Sequence, residues 1–236
     1  MPLLGSAALL LCFDVDPDAI DEHDEWHTQE HLPERLSIPG FLRGTRWVAL
    51  QGEPRYLVLY EVERLDTLAS PAYLERLNGP TPWTQRIMPH YRGMRRGLCS
   101  VQGSRGFGMG HAALLVRFSP QAGAAGSLGK WLAEDILPAL PMRRGLGSTH
   151  WLEAALSAEM TDEQRIRGID ARIDGALLVT GYDEPALAAL AHEDLACERL
   201  EAHGARAVVT ALYRTDYTLT AGEIATIAPL PTKGPT

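Results

Sequence analysis

The sequence has few cysteines, few basic residues and no long apolar run. Its three cysteines, Cys12, Cys99 and Cys197, are odd in number and far apart, which favours a reduced, cytoplasmic location over a disulfide framework or a CxxC metal site. The 22 Lys and Arg residues against 30 Asp and Glu give a net charge of −8, which disfavours nucleic acid and anionic membranes as partners. No stretch approaches the roughly 20 apolar residues of a membrane span. We therefore expect a chain that binds neither nucleic acid nor membrane.

The composition is that of a folded protein. The chain has 236 residues, of which 45% are hydrophobic and 22% charged, so it can bury a substantial core and is too apolar to be disordered. This length accommodates one large domain or two small ones. Internal repetition decides between these two possibilities.

The two halves of the chain resemble each other at an offset of about 105 residues. The segment Ala7–Leu11 matches Ala112–Val116, and the helical segments that follow match at five further positions. These matched pairs are Trp26 with Trp131, Glu30 with Asp135, Leu32 with Leu137, Pro33 with Pro138, and Gly40 with Gly145. A collinear series of this length indicates a duplication.

Later matches require changes of offset. With one residue deleted, Thr45–Trp47 matches Thr149–Trp151, and Leu57–Tyr60 matches Leu177–Thr180. An insertion near Ser157–Arg172 accounts for the second change. The duplication therefore predicts the same fold in both halves, with one extra segment in the second.

Each half has the periodicity of a β-α-β-β-α-β unit, which predicts an α+β fold of two tandem ferredoxin-like repeats. Two helices cover only one face of such a sheet, so the bare faces should pack together as an intramolecular dimeric α+β barrel. We predict a first repeat at 1–103 that carries the site and a second, degenerate repeat at 111–217. A linker spans 104–110, and 218–236 form a C-terminal tail. The barrel should close within one chain, and a further homodimer through the helix faces stays open.

Three histidines are the sharpest functional signal. His23, His27 and His31 have i, i+4, i+8 spacing, which places them on one face of a helix. Their equivalents in the second repeat form an apolar stripe that must face the sheet: Leu128, Leu132 and Ile136. Because the fold accepts Leu and Ile there, packing does not require histidine, and buried polar groups are costly unless they are paired. We interpret His27 and His31 as functional; the alternative is that each is a half-buried histidine with one hydrogen bond.

The same segment carries two weak metal signals. Asp14, Asp16, Asp18 and Glu25 follow EF-hand spacing, but Ala19 stands where that loop needs glycine, and a strand precedes it. Histidines one helical turn apart can share zinc, but the sequence contains no HExxH motif. We predict neither a metal nor an organic cofactor.

The segment Trp26–Pro33 (WHTQEHLP), followed by Pro39 and Gly40, resembles the EthD family of dimeric α+β barrel proteins. The first helix of that family carries an aromatic pair, three residues, His, any residue and Pro, and His27 stands where the family usually has Trp. Related folds include muconolactone isomerases, polyketide cyclases and cofactor-free monooxygenases. The resemblance implies that His31 is the functional histidine.

These observations predict a cofactor-independent enzyme that catalyses proton transfer on a small aromatic, lactone or keto compound. A neutral imidazole at His31 suits a general base, His27 orients it or acts as the acid, and Arg46 stabilises an enolate. Isomerisation, cyclisation, lyase chemistry and cofactor-free oxygenation all begin this way. The candidate substrate-binding residues are His23, Trp26, Arg46, Trp47 and Tyr60.

Two other functions stay open. A haem protein like chlorite dismutase has tandem units of this kind and takes its ligand from the second unit, where the candidates are His111, His150, His192 and His203. A non-catalytic stress or binding barrel is favoured if the helix histidines are exposed. Because aliphatic residues fill the helix face of the second repeat, we also predict that only the first repeat contains a pocket.

Overall fold

The computed structural model describes residues 3–155 and 160–226 of the chain. The strands of this part are β1 Ala7–Val15, β2 Phe41–Gln51, β3 Tyr56–Val62, β4 Tyr91–Gly106, β5 Ala112–Pro120, β6 Leu146–Ala154, β7 Ala171–Arg172, β8 Gly175–Gly181 and β9 Ala205–Thr220. The helices are α1 Ile20–Trp26, α2 Leu32–Leu36, α3 Pro71–Asn78, α4 Pro82–Ile87, α5 Ala125–Trp131, α6 Leu137–Ala139, α7 Asp162–Arg167, α8 Glu184–Leu190, α9 Cys197–Ala202 and α10 Ala221–Thr226. None of the helices described is long and apolar enough to cross a membrane.

Eight strands form a closed antiparallel barrel in the order β1-β3-β2-β9-β5-β8-β6-β4, and β4 pairs back with β1. The short strand β7 adds to β4 in parallel. The expected α+β fold of two ferredoxin-like units packed sheet to sheet is confirmed, and the barrel closes within one chain. Closure removes the exposed sheet edges that would otherwise pair with another molecule.

The two longest strands, β4 and β9, hold the repeats together. Each has 16 residues and pairs at one end with its own repeat and at the other with the opposite repeat. Strand β4 pairs with β1 and then with β6, while β9 pairs with β5 and then with β2. The pairs β4–β6 and β2–β9 therefore join the two repeats into one barrel.

This pairing corrects two predicted boundaries. Residues 104–106 of the predicted linker belong to β4, because they pair with 148–150 of β6. Residues 218–220 of the predicted tail complete β9, and α10 follows, while 227–236 lie outside the described residues. Gly103 and Gly106 predict that the strand ends here, but β6 supplies the hydrogen bonds that keep this segment extended. The division into repeats at 1–103 and 111–217 stays a prediction.

The strands separate three apolar cores. Residues that point into the barrel, such as Leu57 and Leu59 of β3, form the core between the half-sheets. Residues that point outward, such as Val58 of β3 and Val179 of β8, pack under the helices of their own repeat. Both faces of β3 and β8 are therefore buried, and neither strand shows the alternation of a half-exposed strand.

The first helix of each repeat contains the same irregular turn. Helices α1 and α2 are joined by a π-helical turn at His27–His31, in which the amide of Leu32 donates to the carbonyl of His27. The second repeat has this turn at Leu132–Ile136. In each repeat a proline follows two residues after the turn and lacks the amide that would continue the regular ladder. The shared turn supports the offset of 105 between the helices.

The same offset extends into the following strand. Strands β2 and β6 both have a bulge after their first residue, and Arg43 and Ser148 then occupy equivalent positions in the pairing. Arg46 is thus the counterpart of Trp151, and Trp47 the counterpart of Leu152. The match of Trp47 with Trp151 through a deletion is wrong, because a slip of one residue turns a side chain to the other face of the sheet.

The packing predicts that Ile136→Ala destabilises the protein. Ile136 is buried in the core of the second repeat, and the truncation leaves a cavity that costs about 2–5 kcal/mol of unfolding free energy. Guanidinium unfolding measures the loss. Glu134→Ala, at an exposed position of the same π-helical turn, is the control and should change stability by less than about 0.5 kcal/mol. Equal losses in the two variants would contradict the packing of this helix.

Candidate functional site

The helix histidines lie in the cleft between α1–α2 and the outer face of the first half-sheet. His23, His27 and His31 are 0%, 2% and 6% exposed. The apolar stripe of the second repeat occupies the same face, with Leu128, Leu132 and Ile136 equally buried. The three imidazoles therefore occupy core positions, where their polar atoms need partners.

His23 belongs to a fully bonded network. Its Nδ1 lies 3.0 Å from Oδ1 of Asp24, and its Nε2 lies 3.2 Å from the hydroxyl of Tyr91. Asp24 also accepts a 2.8 Å hydrogen bond from Tyr56. Burial lowers the pKa of His23 below its ordinary value, although the bond to Asp24 opposes this effect. His23 is thus held by its neighbours and presents no unbonded ring nitrogen.

His27 has one partner. Its Nε2 lies 3.3 Å from the hydroxyl of Tyr60, while its Nδ1 is buried without a hydrogen bond. Burial, followed by the charge of Arg46, lowers the pKa of His27 well below its ordinary value. The ring is therefore neutral at pH 7 and bound to the sheet through one tyrosine.

His31 makes no hydrogen bond to the described residues, and its Nδ1 is completely buried. Its ring lies 4.3 Å from the indole of Trp26, which donates to Glu30 and Thr84 and is fixed by them. Burial and then the charge of Arg35 lower the pKa of His31 well below its ordinary value. His31 is thus a neutral imidazole that packs against a tilted indole, with no hydrogen bond to the described residues.

His31 borders a cavity of about 20 Å³, which has room for roughly one water molecule. The walls come from the sheet, from α2 and α3, and from the segment that contains α7. The polar lining residues are Arg35, Tyr60, Tyr73, Arg96, Thr161, Glu163, Gln164 and Arg167. The cavity faces His31, and His27 does not border it.

A segment of the second repeat covers this cavity. Glu163 of α7 forms an ion pair with Arg35 of α2, and both side chains are buried. Arg167 pairs with Asp170 in the same segment, at 2.6 Å. These residues were not predicted as part of the site, because the segment is the insertion of the second repeat and has no counterpart in the first. The signal in the sequence that could have indicated this ion pair was Arg35, the only Lys or Arg in the otherwise acidic first helix.

The other predicted residues lie in two places. Trp26 and Tyr60 belong to the histidine cluster, as described above. Arg46 lies beneath α1, where it donates to Asp216 at 2.6 Å and to the carbonyl of Asp24 at 3.2 Å. Trp47 points into the barrel instead, in the core between the half-sheets, and it borders a cavity of about 410 Å³ with Thr45 and other residues. Trp47 is therefore separated from the histidines by the sheet.

The prediction that only the first repeat contains a pocket is wrong. The corresponding cleft of the second repeat holds a cavity of about 270 Å³, lined in part by Leu128, Leu132 and Trp151. The stripe predicted to fill this cleft forms one wall of the cavity. The space exists because the sheet wall of this cleft carries smaller residues than the sheet wall of the first cleft, with Gly175 in place of Tyr56.

No histidine lines the cleft cavity of the second repeat, whereas His111, one of the four candidate haem ligands, borders the cavity of about 410 Å³ beside Trp47. His150 points into the barrel and bonds Ser104 and Ser148 at 2.9 and 3.0 Å, and burial lowers its pKa to about 3. The ring of His203 stacks on Trp131 at 3.9 Å. Across the described residues, no group of three or more His, Cys, Asp or Glu is arranged to hold a metal ion.

The fold is similar to solved structures with very different sequences. An anthrone oxidase-like protein gives a TM-score of 0.61 at 12% identity, covering 98% of this chain and 99% of the other. A monooxygenase candidate from Fusobacterium nucleatum subsp. nucleatum gives 0.54 at 10% identity, covering 92% and 96%. A mutant chlorite dismutase from Candidatus Nitrospira defluvii, in complex with cyanide, gives 0.52 at 12% identity, covering 92% of both chains. These likenesses show the ferredoxin-like barrel fold alone.

Sequence comparison adds no family. No protein-family model matches the chain, and no curated protein matches it significantly. The resemblance of Trp26–Pro33 to the EthD family therefore stays a hypothesis based on the motif.

The buried histidines predict a loss of stability in mild acid. Below pH ~6.5 the unfolded chain binds protons at His27 and His31 that the folded chain does not, so the unfolding free energy decreases as the pH falls. Each group contributes at most about 1.4 kcal/mol per pH unit. The double variant His27→Leu with His31→Ile, which copies the second repeat, should lose up to about 4 kcal/mol less than wild type between pH 7 and pH 5.

Guanidinium unfolding at the two pH values measures this difference. His192→Ala, which removes an exposed histidine, should retain the wild-type dependence. An unchanged pH dependence in the double variant would show that these rings are protonated in the folded protein.

Proposed function

We propose that this protein is a small-molecule enzyme that works by proton transfer, without an organic cofactor, and that His31 is its general base. The observation that carries the proposal is a buried, neutral imidazole that borders a cavity and whose Nδ1 has no hydrogen-bond partner among the described residues. A ring with a purely structural role at such a depth would be bonded, as His23 is. A neutral imidazole is also the form that accepts a proton from a substrate.

His27 and Tyr60 support this base from the other side of the helix turn. Burial raises the pKa of Tyr60, so its hydroxyl stays protonated and can donate to Nε2 of His27. The rings of His27 and His31 lie 5.7 Å apart. We assign His27 as a positioning residue. Its hydrogen bond with Tyr60 keeps the helix turn against the sheet, and its neutral ring adds no positive charge near His31.

Arg96 is the cation best placed for a developing negative charge. It borders the same cavity as His31, and among the described residues it pairs with no carboxylate, bonding the hydroxyl of Tyr73 at 3.4 Å. Arg46, expected in this role, is occupied by Asp216. A buried guanidinium beside the reacting group stabilises an enolate or phenolate strongly, because little water screens it.

The small volume beside His31 restricts how a substrate enters. A cavity of about 20 Å³ holds no organic molecule, and Thr161, Glu163, Gln164 and Arg167 form its outer wall. We infer that the α7 segment moves away from α2 when substrate binds, separating Glu163 from Arg35. The arriving substrate then replaces this polar wall.

The reaction class is removal of a proton alpha to a carbonyl or from a phenol, followed by isomerisation, cyclisation, bond cleavage or reaction with oxygen. The EthD-like motif and the names of the structural neighbours, anthrone oxidase-like and monooxygenase, agree with such chemistry on small aromatic or keto compounds. The cysteine usage supports a cytoplasmic location. A non-catalytic barrel is less favoured, because its mark would be exposed helix histidines, and these are buried.

Proton transfer itself is the best readout, because it requires no knowledge of the product. The wild-type protein is incubated in D2O with anthrone, acetoacetate and a small unsaturated lactone, and loss of the carbon-bound proton is followed by NMR. We expect accelerated exchange with at least one probe. His31→Ala and the better space-filling His31→Gln should both reduce the rate by about 10²–10⁴-fold.

Stability measurements separate a catalytic from a structural role. His31→Ala should change the melting temperature little, because it removes a buried polar group without a partner. Ile136→Ala, at the equivalent position, should do the reverse and lower the melting temperature while retaining exchange. A large melting loss in His31→Ala, or wild-type exchange in both His31 variants, would overturn the assignment.

A further inference from the structure

We propose that the outer cleft of the second repeat binds a small planar aromatic molecule of one or two rings. The cleft lies between α5 and the outer face of the second half-sheet and holds a cavity of about 270 Å³. Its lining contains no histidine, cysteine, serine, threonine, tyrosine or lysine. The four charged lining residues are Glu153, Arg172, Asp174 and Arg206, and His31 does not border the cavity.

The space arises where the second repeat lacks an aromatic side chain of the first. In the first repeat Phe13 of β1 pairs with Tyr56, whose ring fills the cleft and stacks on Phe13 at 5.4 Å. In the second repeat the equivalent Phe118 of β5 pairs with Gly175. Gly175 lines the cavity, and its missing side chain accounts for part of the volume.

A second aromatic side chain is missing beside the first. Val15 pairs with Tyr91 in the first repeat, and the equivalent Pro120 pairs with Ala205 in the second. Tyr91 is the residue whose hydroxyl bonds His23 in the filled cleft. Two tyrosine positions on the sheet are therefore occupied by glycine and alanine, and Pro120, the partner of Ala205, lines the cavity together with Gly175.

The helix side of the cleft shows a coupled replacement. Asp24 and Arg46, which lie close together in the first repeat, correspond to Gly129 and Trp151 in the second. A Cβ on Gly129 would lie 2.7 Å from the Trp151 ring, so only glycine lets this indole lie against the helix. The indole thus forms an aromatic wall where the first repeat has an ion pair.

The walls and the rim indicate the ligand class. Phe118, Leu128, Leu132 and Trp151 provide flat apolar surface on both sides of the cavity, which suits a ring that stacks on one aromatic face. The charged lining residues are exposed or half-buried, and we refer to them as the rim: Glu153, Arg172, Asp174 and Arg206. There Asp174 is engaged by Arg172 at 2.9 Å and by Ser119 at 2.6 Å.

Arg206 and Glu153 complete the rim and are available to a ligand substituent. Within the part of the chain that is described, Arg206 donates only to the carbonyl of Pro120, and Glu153 makes no ion pair. One basic and one acidic group at the mouth match a neutral hydroxyl, which can accept from the first and donate to the second. We therefore take a phenol of two fused rings as the test ligand.

The test is calorimetric titration of the full-length protein with 2-naphthol. Ala125 lines the mouth of the cavity and is exposed, so Ala125→Trp should block it without disturbing the core. We expect at least tenfold weaker binding. Gly126→Trp, on the same helix where a Cβ meets open space, is the matched control and should bind within twofold of wild type. Melting curves confirm that both variants fold.

Two further variants locate the site. Trp151→Leu removes the aromatic wall and should weaken binding by at least fivefold. His31→Ala should leave binding unchanged, so that failure of the proposed catalytic role would not affect this result. The proposal is overturned if 2-naphthol does not bind wild type at millimolar concentration, if Ala125→Trp and Gly126→Trp bind alike, or if His31→Ala abolishes binding.

Discussion

Pairing between the repeats through β4 and β9 is the constraint on which the rest of the structure depends. Each of these 16-residue strands runs from one half-sheet into the other, so the two half-sheets close into one barrel. Closure commits the inner sheet faces to a common core. The helices can then cover only the outer faces, which leaves one helix–sheet cleft in each repeat. The two helix–sheet clefts thus have a common origin in the duplication.

Corresponding positions in the two clefts carry different kinds of residue and pack differently. The first repeat fills its cleft with polar and aromatic groups that bond one another. Asp24 is the centre of this network and contacts His23, Tyr56 and Arg46. A buried polar network of this kind is stable only when its members are satisfied. The second repeat carries aliphatic residues on the helix and small residues on the sheet, and a cavity remains. The histidine without partners, His31, lies at the far end of the first network, outside its bonds.

The sequence was sufficient for the fold and for the buried face of the first helix. The repeat was visible because the first strand and the first helix recur at a constant offset of about 105, and the histidine face was visible because Leu128, Leu132 and Ile136 mark the buried stripe. The positions of Trp47 and Trp151 were not predictable from a plausible alignment, since a one-residue slip in a strand exchanges the two faces. The cavity of the second repeat was equally hidden, because it depends on which residues Gly175 and Ala205 replace across the sheet.

Besides the closure of the barrel, the inserted segment of the second repeat links the two clefts. Glu163 and Arg167 border the small cavity at His31, and Arg172, at the end of the same segment, borders the large cavity of the second repeat. Strand β7, at the end of this segment, pairs with Arg95 and Arg96 of β4 and anchors the segment to the barrel. A segment with no counterpart in the first repeat thus covers one cleft and forms part of the rim of the other. The two clefts are therefore parts of one structural unit, and a separate first repeat would have an uncovered His31.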